Sequence, residues 1–155
     1  MKAIKVTNPI WLGEIAPRIK DFLDRIVKMR GYTYETLYTY LSNTVQFGGD
    51  RAEVWVVMDT GKPVAFASWY VKPLPWSGAV HFDTIYKWGG GQDVVKILID
   101  EFIKFGQRNK APVFTAGSYN KAVIKLLERC SEKLGYSCVD TGCKTLIMEK
   151  KDAEY

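Results

Sequence analysis

The 155-residue sequence has one histidine and three cysteines, which are few ligands for the common metal sites of proteins. Cys130, Cys138 and Cys143 are odd in number and show no Cys-x-x-Cys spacing. We therefore expect reduced thiols, with Cys138 and Cys143 close in space because they flank a predicted turn. No metal site is expected.

Long apolar runs are missing as well. No run approaches the roughly 18 residues that a membrane span needs, and residues 1–6 are too polar for the core of a signal peptide. The sequence therefore predicts a cytoplasmic protein that does not contact a membrane. Its 155 residues suffice for one domain with a core that needs no disulfides, and residues 151–155 are expected to form a frayed tail.

The excess of positive charge is small, with a formal net charge of +5. The chain has no Lys/Arg-rich block and no recognised nucleic-acid-binding motif, so no specific nucleic-acid partner is expected. A modest positive field still favours anionic ligands and acidic partners over cationic ones.

Three consecutive glycines, Gly89–Gly91, stand between a strand-like segment, 79–86, and a strongly periodic helix-like segment, 93–105. Because the first N–H groups of a helix lack partners and its dipole favours anions, this turn is a candidate phosphate cradle. The Gly-Lys-Ser/Thr of a Walker loop is absent, and the dinucleotide fingerprint needs a glycine where Val94 stands. A flexible turn before a helix is the alternative interpretation.

Hydrophobic periodicity and turn residues predict the element order β-α-α-β-β-β-α-β-α-β-β. Thr33 is the predicted N-cap of the second helix, with Thr36 three residues on, and Pro17 is expected in the first turn of the first helix. The predicted strands are 3–7, 53–58, 64–72, 79–86, 113–116, 137–140 and 144–150, and the predicted helices are 15–29, 34–47, 93–105 and 121–134.

This order, and the segment from Tyr86 to Gly91, resemble the GNAT acetyltransferase superfamily, whose central helix opens with Gln/Arg-x-x-Gly-x-Gly/Ala. Both glycine positions match, whereas Tyr86 stands where Gln or Arg is usual. Asn120, after the fifth strand, and the pair Gly135-Tyr136, after the fourth helix, also fit the family. The resemblance covers about residues 3–150. It implies an α/β fold with a mixed, mostly antiparallel sheet of about seven strands flanked by four helices.

In that family the fourth and fifth strands splay apart, and the pantetheine arm of acetyl-CoA inserts between them. The resemblance implies that backbone groups near the end of the fourth strand bind the arm and that the N–H groups of the glycine turn hold the pyrophosphate. The residues expected to bind the coenzyme are Ile85, Tyr86, Lys87, Gly89, Gly90, Gly91, Gln92, Asp93 and Asn120.

Acetyl transfer to an amine requires a base that removes a proton from the ammonium group. Alternate residues of a strand share a face, so His81, Asp83 and Ile85 should face one way and Phe82, Thr84 and Tyr86 the other. Asp83 is the first candidate base, acting directly or through a water, and His81 is the second. An ordinary exposed strand face is the alternative explanation of these polar residues.

The leaving thiolate often receives a proton from a tyrosine of the fourth helix in this family. Counting back four residues from Gly135 gives Ser131, whereas counting forward seven from Asn120 gives Leu127, and neither is a tyrosine. The Ser131 hydroxyl is suited at most to a hydrogen bond with the thiolate because its pKa is too high. Tyr119 and Tyr136 are the other candidates.

Two functions are consistent with these features. The first is an acetyl-CoA-dependent N-acetyltransferase that moves the acetyl group directly to the amine of a small molecule or a protein. The second is a catalytically silent GNAT-fold protein that serves as a binding or structural subunit of a larger assembly. The family's habits also suggest a homodimer formed through the last hairpin.

Overall fold

The computed structural model describes residues 1–25, 33–73, 78–117 and 121–139. Their elements follow the predicted order, and a short 3₁₀ helix, Pro9–Trp11, precedes the first α-helix. The elements are β1 (Lys2–Lys5), α1 (Leu12–Arg25), α2 (Tyr34–Phe47), β2 (Ala52–Asp59), β3 (Lys62–Val71), β4 (Ala79–Lys87), α3 (Asp93–Arg108), β5 (Val113–Ala116) and α4 (Lys121–Lys133).

The five strands form one mixed sheet in the order β1-β2-β3-β4-β5. Neighbouring strands are antiparallel except β4 and β5, which are parallel. The prediction of seven strands is not matched, because the sheet described here has five. Residues 137–139 form no strand, since a strand requires a ladder partner and they pair with no described residue. The predicted strand 144–150 and the tail 151–155 lie outside the described residues.

The first helix begins at Leu12, three residues earlier than predicted. The Asn8 side chain accepts a hydrogen bond from the Ile10 N–H at 2.9 Å, which caps the 3₁₀ turn and leads the chain directly into α1. Pro17 therefore lies in the second turn of the helix instead of the first. Residues 26–29 of the predicted helix lie outside the described residues.

The predicted cap of α2 is confirmed. The Thr36 N–H donates to the Thr33 hydroxyl at 3.2 Å, and the Thr33 N–H donates to the Thr36 hydroxyl at 2.9 Å. The predicted hairpin between β2 and β3 is confirmed as well. Thr60 and Gly61 both have positive φ, at 47° and 80°, as a tight two-residue hairpin turn requires.

The sheet separates two hydrophobic cores. On one face, α1 and α2 cover residues of β2, β3 and β4; α3 lies on the other face and α4 packs against it. The fully buried side chains of the first face include Leu12, Ile15, Ile19, Leu37, Leu41, Val54, Val56 and Phe66, and those of the second include Val57, Ala65, Ala67, Trp69, Val80, Val94, Leu98 and Phe105. None of the helices in the described ranges is long and apolar enough to cross a membrane.

Candidate active site

The β4–β5 pair opens partway along β4. The parallel ladder runs from Ala79 and Val113 to Phe82 and Ala116, where β5 ends, while β4 continues to Lys87. Residues 84–87 of β4 therefore pair with β3 on one side and with no described strand on the other. An extended ligand can hydrogen-bond to the exposed edge of a strand. The predicted arm-binding residues Ile85, Tyr86 and Lys87 belong to this part of β4.

The glycine turn follows β4 and is tied to β3. The N–H groups of Trp88 and Gly89 both donate to the Val64 carbonyl, at 3.0 and 3.1 Å. Gly90 has a φ of +71°, and a Cβ built on it would lie 2.5 Å from Cγ2 of Val94. The fold itself thus requires glycine at position 90, for its backbone angle and for its packing.

Gly91 differs from its neighbour, because a Cβ built on it meets no atom within 4 Å. The N–H groups of Gly90, Gly91 and Gln92 form no hydrogen bond with any residue that the structure describes. Gln92, the N-cap of α3, makes no side-chain cap either. The start of α3 thus offers uncapped donors beside open space, an arrangement that suits an anion. Asp93, in the first turn, complements the helix dipole.

A cation from another element lies beside this turn. The Arg18 guanidinium of α1 sits 5.7 Å from the centre of the Trp88 ring, immediately before the three glycines. Trp88 is held in place because its indole N–H donates to the Pro63 carbonyl at 2.9 Å. Arg18 also forms an ion pair with Asp21 at 3.0 Å.

Asp83 is the extra residue of a β-bulge. Ser68 of β3 pairs with Thr84 and the next residue, Trp69, pairs with Phe82, so Asp83 has no partner on β3. The bulge reverses the alternation of β4: Phe82 and Ile85 both pack on the α3 side, and Tyr86 packs on the α1–α2 side.

This reversal corrects the predicted faces. Ile85 does not share a face with Asp83, because an unpaired residue shifts the alternation by one. Asp83 and His81 do share a face, since both lie next to Tyr70 of β3. Bulges of this kind are common beside active sites, where they redirect a side chain.

The Asp83 carboxylate borders a cleft of about 480 Å³ between α2 and the sheet. The Ser68 and Thr84 hydroxyls donate to its Oδ2 atom, at 3.4 and 3.1 Å. It forms no salt bridge with any residue in the described ranges. The cleft is lined by Thr36, Leu37, Tyr40, Thr44, Ala52, Tyr70 and Asp83.

Asp83 contributes to a raised pKa at two tyrosines of the cleft. Burial raises the pKa of Tyr40 above its usual 10.0, and the charge of Asp83 and a hydrogen bond to it raise this pKa further. Burial and then Asp83 also raise the pKa of Tyr70. Both phenols therefore stay protonated at neutral pH, and Tyr40 acts as a donor to the carboxylate.

His81 bridges β4 and β5. Its Nδ1 atom lies 2.9 Å from the Thr115 hydroxyl, and that hydroxyl donates to the Val80 carbonyl at 3.2 Å. Burial lowers the pKa of His81 below 6.5, nearby Lys72 adds to this effect, and Asp83 opposes it. The imidazole is therefore neutral at pH 7.

The structure does not bring Ser131 to this cluster. Ser131 lies in α4, which packs on α3, and its carbonyl accepts hydrogen bonds from the N–H groups of Leu134 and Tyr136 at 3.0 Å each. None of the hydrogen bonds that Asp83 and His81 form with described residues involves Ser131. Asn120 and Tyr119 lie outside the described residues.

Several residues of the cleft were not predicted from the sequence as site residues. Thr36, Tyr40 and Thr44 follow one another at intervals of four on α2, and this polar stripe was a detectable signal. Thr115 carried no signal, because its approach to His81 depends on the register of two parallel strands. No group of three or more potential metal-binding side chains occurs within the described ranges.

The sequence matches no protein-family model and no curated protein sequence. Its fold, however, is similar to those of solved acetyltransferases. A probable acetyltransferase shares 15% identity with a TM-score of 0.68, over 99% of this chain and all of the other. A ribosomal-protein-alanine N-acetyltransferase from Brucella melitensis biovar Abortus 2308 shares 16% identity with a TM-score of 0.67, over 96% and 100%.

An aminoglycoside N-acetyltransferase in complex with CoA is also similar, with 14% identity and a TM-score of 0.59, over 97% of this chain and 99% of the other. At such identities the similarity establishes the fold. The resemblance drawn from the sequence is therefore confirmed at that level: the chain has the fold of the GNAT acetyltransferases.

Proposed function

We propose that this protein is an N-acetyltransferase that moves an acetyl group from acetyl-CoA directly to an amine. The observation that carries the proposal is the opening between β4 and β5 at Phe82 and Ala116. Beyond this point an edge of β4 that has no described strand beside it leads from the Asp83 cleft to the glycine turn. A thioester donor bound along this edge would have its acyl end near the carboxylate and its phosphates at the helix start.

The residues present fit the donor. Beyond Phe82, the edge of β4 that faces away from β3 pairs with no described strand, and its peptide groups would hydrogen-bond to the amides of pantetheine. The N–H groups of Gly90, Gly91 and Gln92 would hold the pyrophosphate, with the Arg18 guanidinium nearby as a counter-charge. The Gly89 N–H is engaged by Val64, so we place the phosphate on the residues that follow it. The CoA complex of a protein with the same fold supports this donor.

The acceptor would occupy the cleft beside α2. A carboxylate with three neutral donors and no described ion pair attracts an ammonium group, and Tyr40 and Tyr70 offer aromatic faces to the cation. The cleft is of the size that small-molecule sites have. A small amine or the end of a flexible chain therefore suits it.

The reaction needs one proton acceptor and one proton donor. A base in the cleft removes a proton from the ammonium group, and the free amine attacks the thioester carbonyl. The C–N bond forms, the C–S bond breaks, and the thiolate takes the proton that the attacking nitrogen loses. Asp83 holds the ammonium group; Asp83 and His81 are the two candidate bases.

Calorimetric titration with acetyl-CoA and with CoA tests the donor site. In Gly91→Glu a carboxylate enters open space at the helix start without straining the backbone. We expect wild-type protein to bind both ligands and Gly91→Glu to lose at least about tenfold in affinity through charge repulsion. Gly13→Glu, which adds the same charge at another open glycine, in the first turn of α1, is the control.

Gly90→Glu is unsuitable for this purpose, because its positive φ and its contact with Val94 would disturb the fold itself. An amine screen with acetyl-CoA, read by release of the thiol, completes the test. A folded wild-type protein that binds neither acetyl-CoA nor CoA would exclude the transferase and favour the silent subunit.

A further inference from the structure

The hydrogen bonds around Thr115 favour one position of the proton on the His81 ring. A threonine hydroxyl carries one hydrogen, and that of Thr115 is directed to the Val80 carbonyl at 3.2 Å. The oxygen can then only accept from Nδ1 of His81, 2.9 Å away. A neutral imidazole with its proton on Nδ1 has its lone pair on Nε2.

This pair lies where the two strands part. His81 pairs with Thr115 in the parallel ladder, and the ladder ends one residue later, at Phe82 and Ala116. The His81 ring also packs 5.4 Å from the ring of Tyr70, which lines the acceptor cleft. His81 thus contacts a residue of the cleft and lies one residue before the end of the ladder.

We propose that Thr115 holds His81 in the Nδ1–H tautomer so that Nε2 is the proton acceptor for the amine, while Asp83 binds the ammonium group and stabilises the imidazolium. This inference rests on the proposed transferase function and assigns the base that it leaves open. His81 is then the catalytic base and Thr115 a positioning residue.

The chemistry favours imidazole over carboxylate in this role. Reference pKa values of about 6.5 for histidine and about 3.9 for aspartate make imidazole the stronger base. The Oδ2 atom of Asp83 moreover already accepts hydrogen bonds from the Ser68 and Thr84 hydroxyls. Proton transfer from the ammonium to Nε2 gives an imidazolium whose Nδ1–H still donates to Thr115 and whose charge faces Asp83.

The groups that face His81 make the pH dependence predictable. Tyr70 comes from β3 and Lys72 directly follows this strand. Asp83 comes from β4 and the uncharged Thr115 from β5, while Tyr40 of α2 faces Asp83. Burial and Lys72 lower the pKa of His81, so Nε2 is unprotonated and able to accept a proton at neutral pH. Protonation should occur below pH 6.5.

The tautomer can be observed directly, because the sequence contains a single histidine. Two-bond ¹H–¹⁵N spectra of tag-free protein labelled with ¹⁵N-histidine report which ring nitrogen carries the proton. We expect Nδ1–H in wild type and in Thr115→Ser, which keeps the hydroxyl. We expect the Nε2–H form to become dominant in Thr115→Val, which removes it. An Nε2–H tautomer in wild type would overturn the proposal.

Kinetics with an amine found in the screen test the part of the proposal that makes His81 the catalytic base. We expect His81→Asn to lower kcat on the order of 10²-fold and Thr115→Val about tenfold, with the affinity for acetyl-CoA unchanged by calorimetry and Thr115→Ser near wild type. Undiminished turnover in His81→Asn or in Thr115→Val would refute this role of the pair. A wild-type protein that binds acetyl-CoA but acetylates no amine would instead overturn the proposed function, and the spectra would still report the tautomer.

Discussion

Two carboxylates of the sheet, Glu53 on β2 and Asp83 on β4, are surrounded in opposite ways. Glu53 is 3% exposed and accepts four hydrogen bonds on the α3 side of the sheet. Asp83 lies on the opposite face, at a bulge and beside an open cleft. Both are well hydrogen-bonded, so the number of donors does not distinguish a structural carboxylate from a functional one.

The difference is in the charge of the donors. Lys5 and Arg108 donate to Oε1 of Glu53 at 2.8 and 2.9 Å, and the indoles of Trp55 and Trp69 donate to Oε2 at 2.8 and 3.2 Å. These contacts join β1, β2, β3 and α3 and neutralise the carboxylate. The donors to Asp83 are uncharged hydroxyls, which orient it and leave its charge available to a cationic ligand. Charge compensation and access, taken together, separate the structural role of Glu53 from the role proposed for Asp83.

The largest expected effect concerns the stability that Glu53 provides. Glu53→Gln places amide hydrogens against groups that are all donors and removes the charge that pairs with two cations. We expect the free energy of unfolding to fall by about 3 kcal/mol. This is the lower end of the range for breaking a buried ion pair, because the Lys5 and Arg108 side chains are 36% and 52% exposed.

Urea unfolding measures this loss. Glu101→Gln, which breaks a more exposed pair with Lys104 on α3, is the matched control and should change stability by less than about 1 kcal/mol. Equal effects of the two substitutions would contradict the structural role of Glu53.

Asp83→Asn should show the opposite pattern. We expect a loss in kcat/KM on the order of 10²-fold, because neither the ammonium group nor the imidazolium is then stabilised by a negative charge. The free energy of unfolding should change by about 1 kcal/mol or less, since no ion pair with a described residue is broken.

Steady-state kinetics and urea unfolding of the same Asp83→Asn preparation separate the two effects. Asp59→Asn, a change of the same kind at the end of β2 and outside the cleft lining, is the control. An unstable but fully active Asp83→Asn protein would reverse the roles given to the two carboxylates.

Tyr40→Phe tests the neutral surroundings of Asp83 separately from its charge, because it removes one donor and leaves the charge in place. A hydrogen bond to a charged group contributes about 1.5–3 kcal/mol, so we expect kcat/KM to fall about tenfold. Tyr38→Phe alters the same helix at a residue that packs against Tyr34 and should leave the rate unchanged. If both variants kept the wild-type rate, Tyr40 would serve packing alone.

The sequence predicted the order of the elements and the turn that leads into α3, because hydrophobic period and glycine placement are local signals. Their strand position also indicated Asp83 and His81 as candidate bases, and this stays a prediction. The bulge that places Ile85 on the α3 side and the hydroxyls that orient Asp83 depend on pairing with β3, which no local pattern encodes. The same holds for Glu53, whose four donors come from four different elements.

The smallest expected effect is the pH dependence that Glu53 adds to stability. Burial raises the pKa of Glu53, but hydrogen bonds from Lys5 and Trp55 outweigh it and hold the pKa below 4.5 in the folded state. A depressed pKa adds stability that is complete above the unfolded value and is lost as pH falls through the folded value. The difference in unfolding free energy between wild type and Glu53→Gln should therefore be constant above about pH 5.5 and shrink as pH falls below 4.5. Urea titrations across this pH range measure the difference. If the difference in unfolding free energy grew as pH fell, the neighbours of Glu53 would not be what keeps its carboxylate ionised.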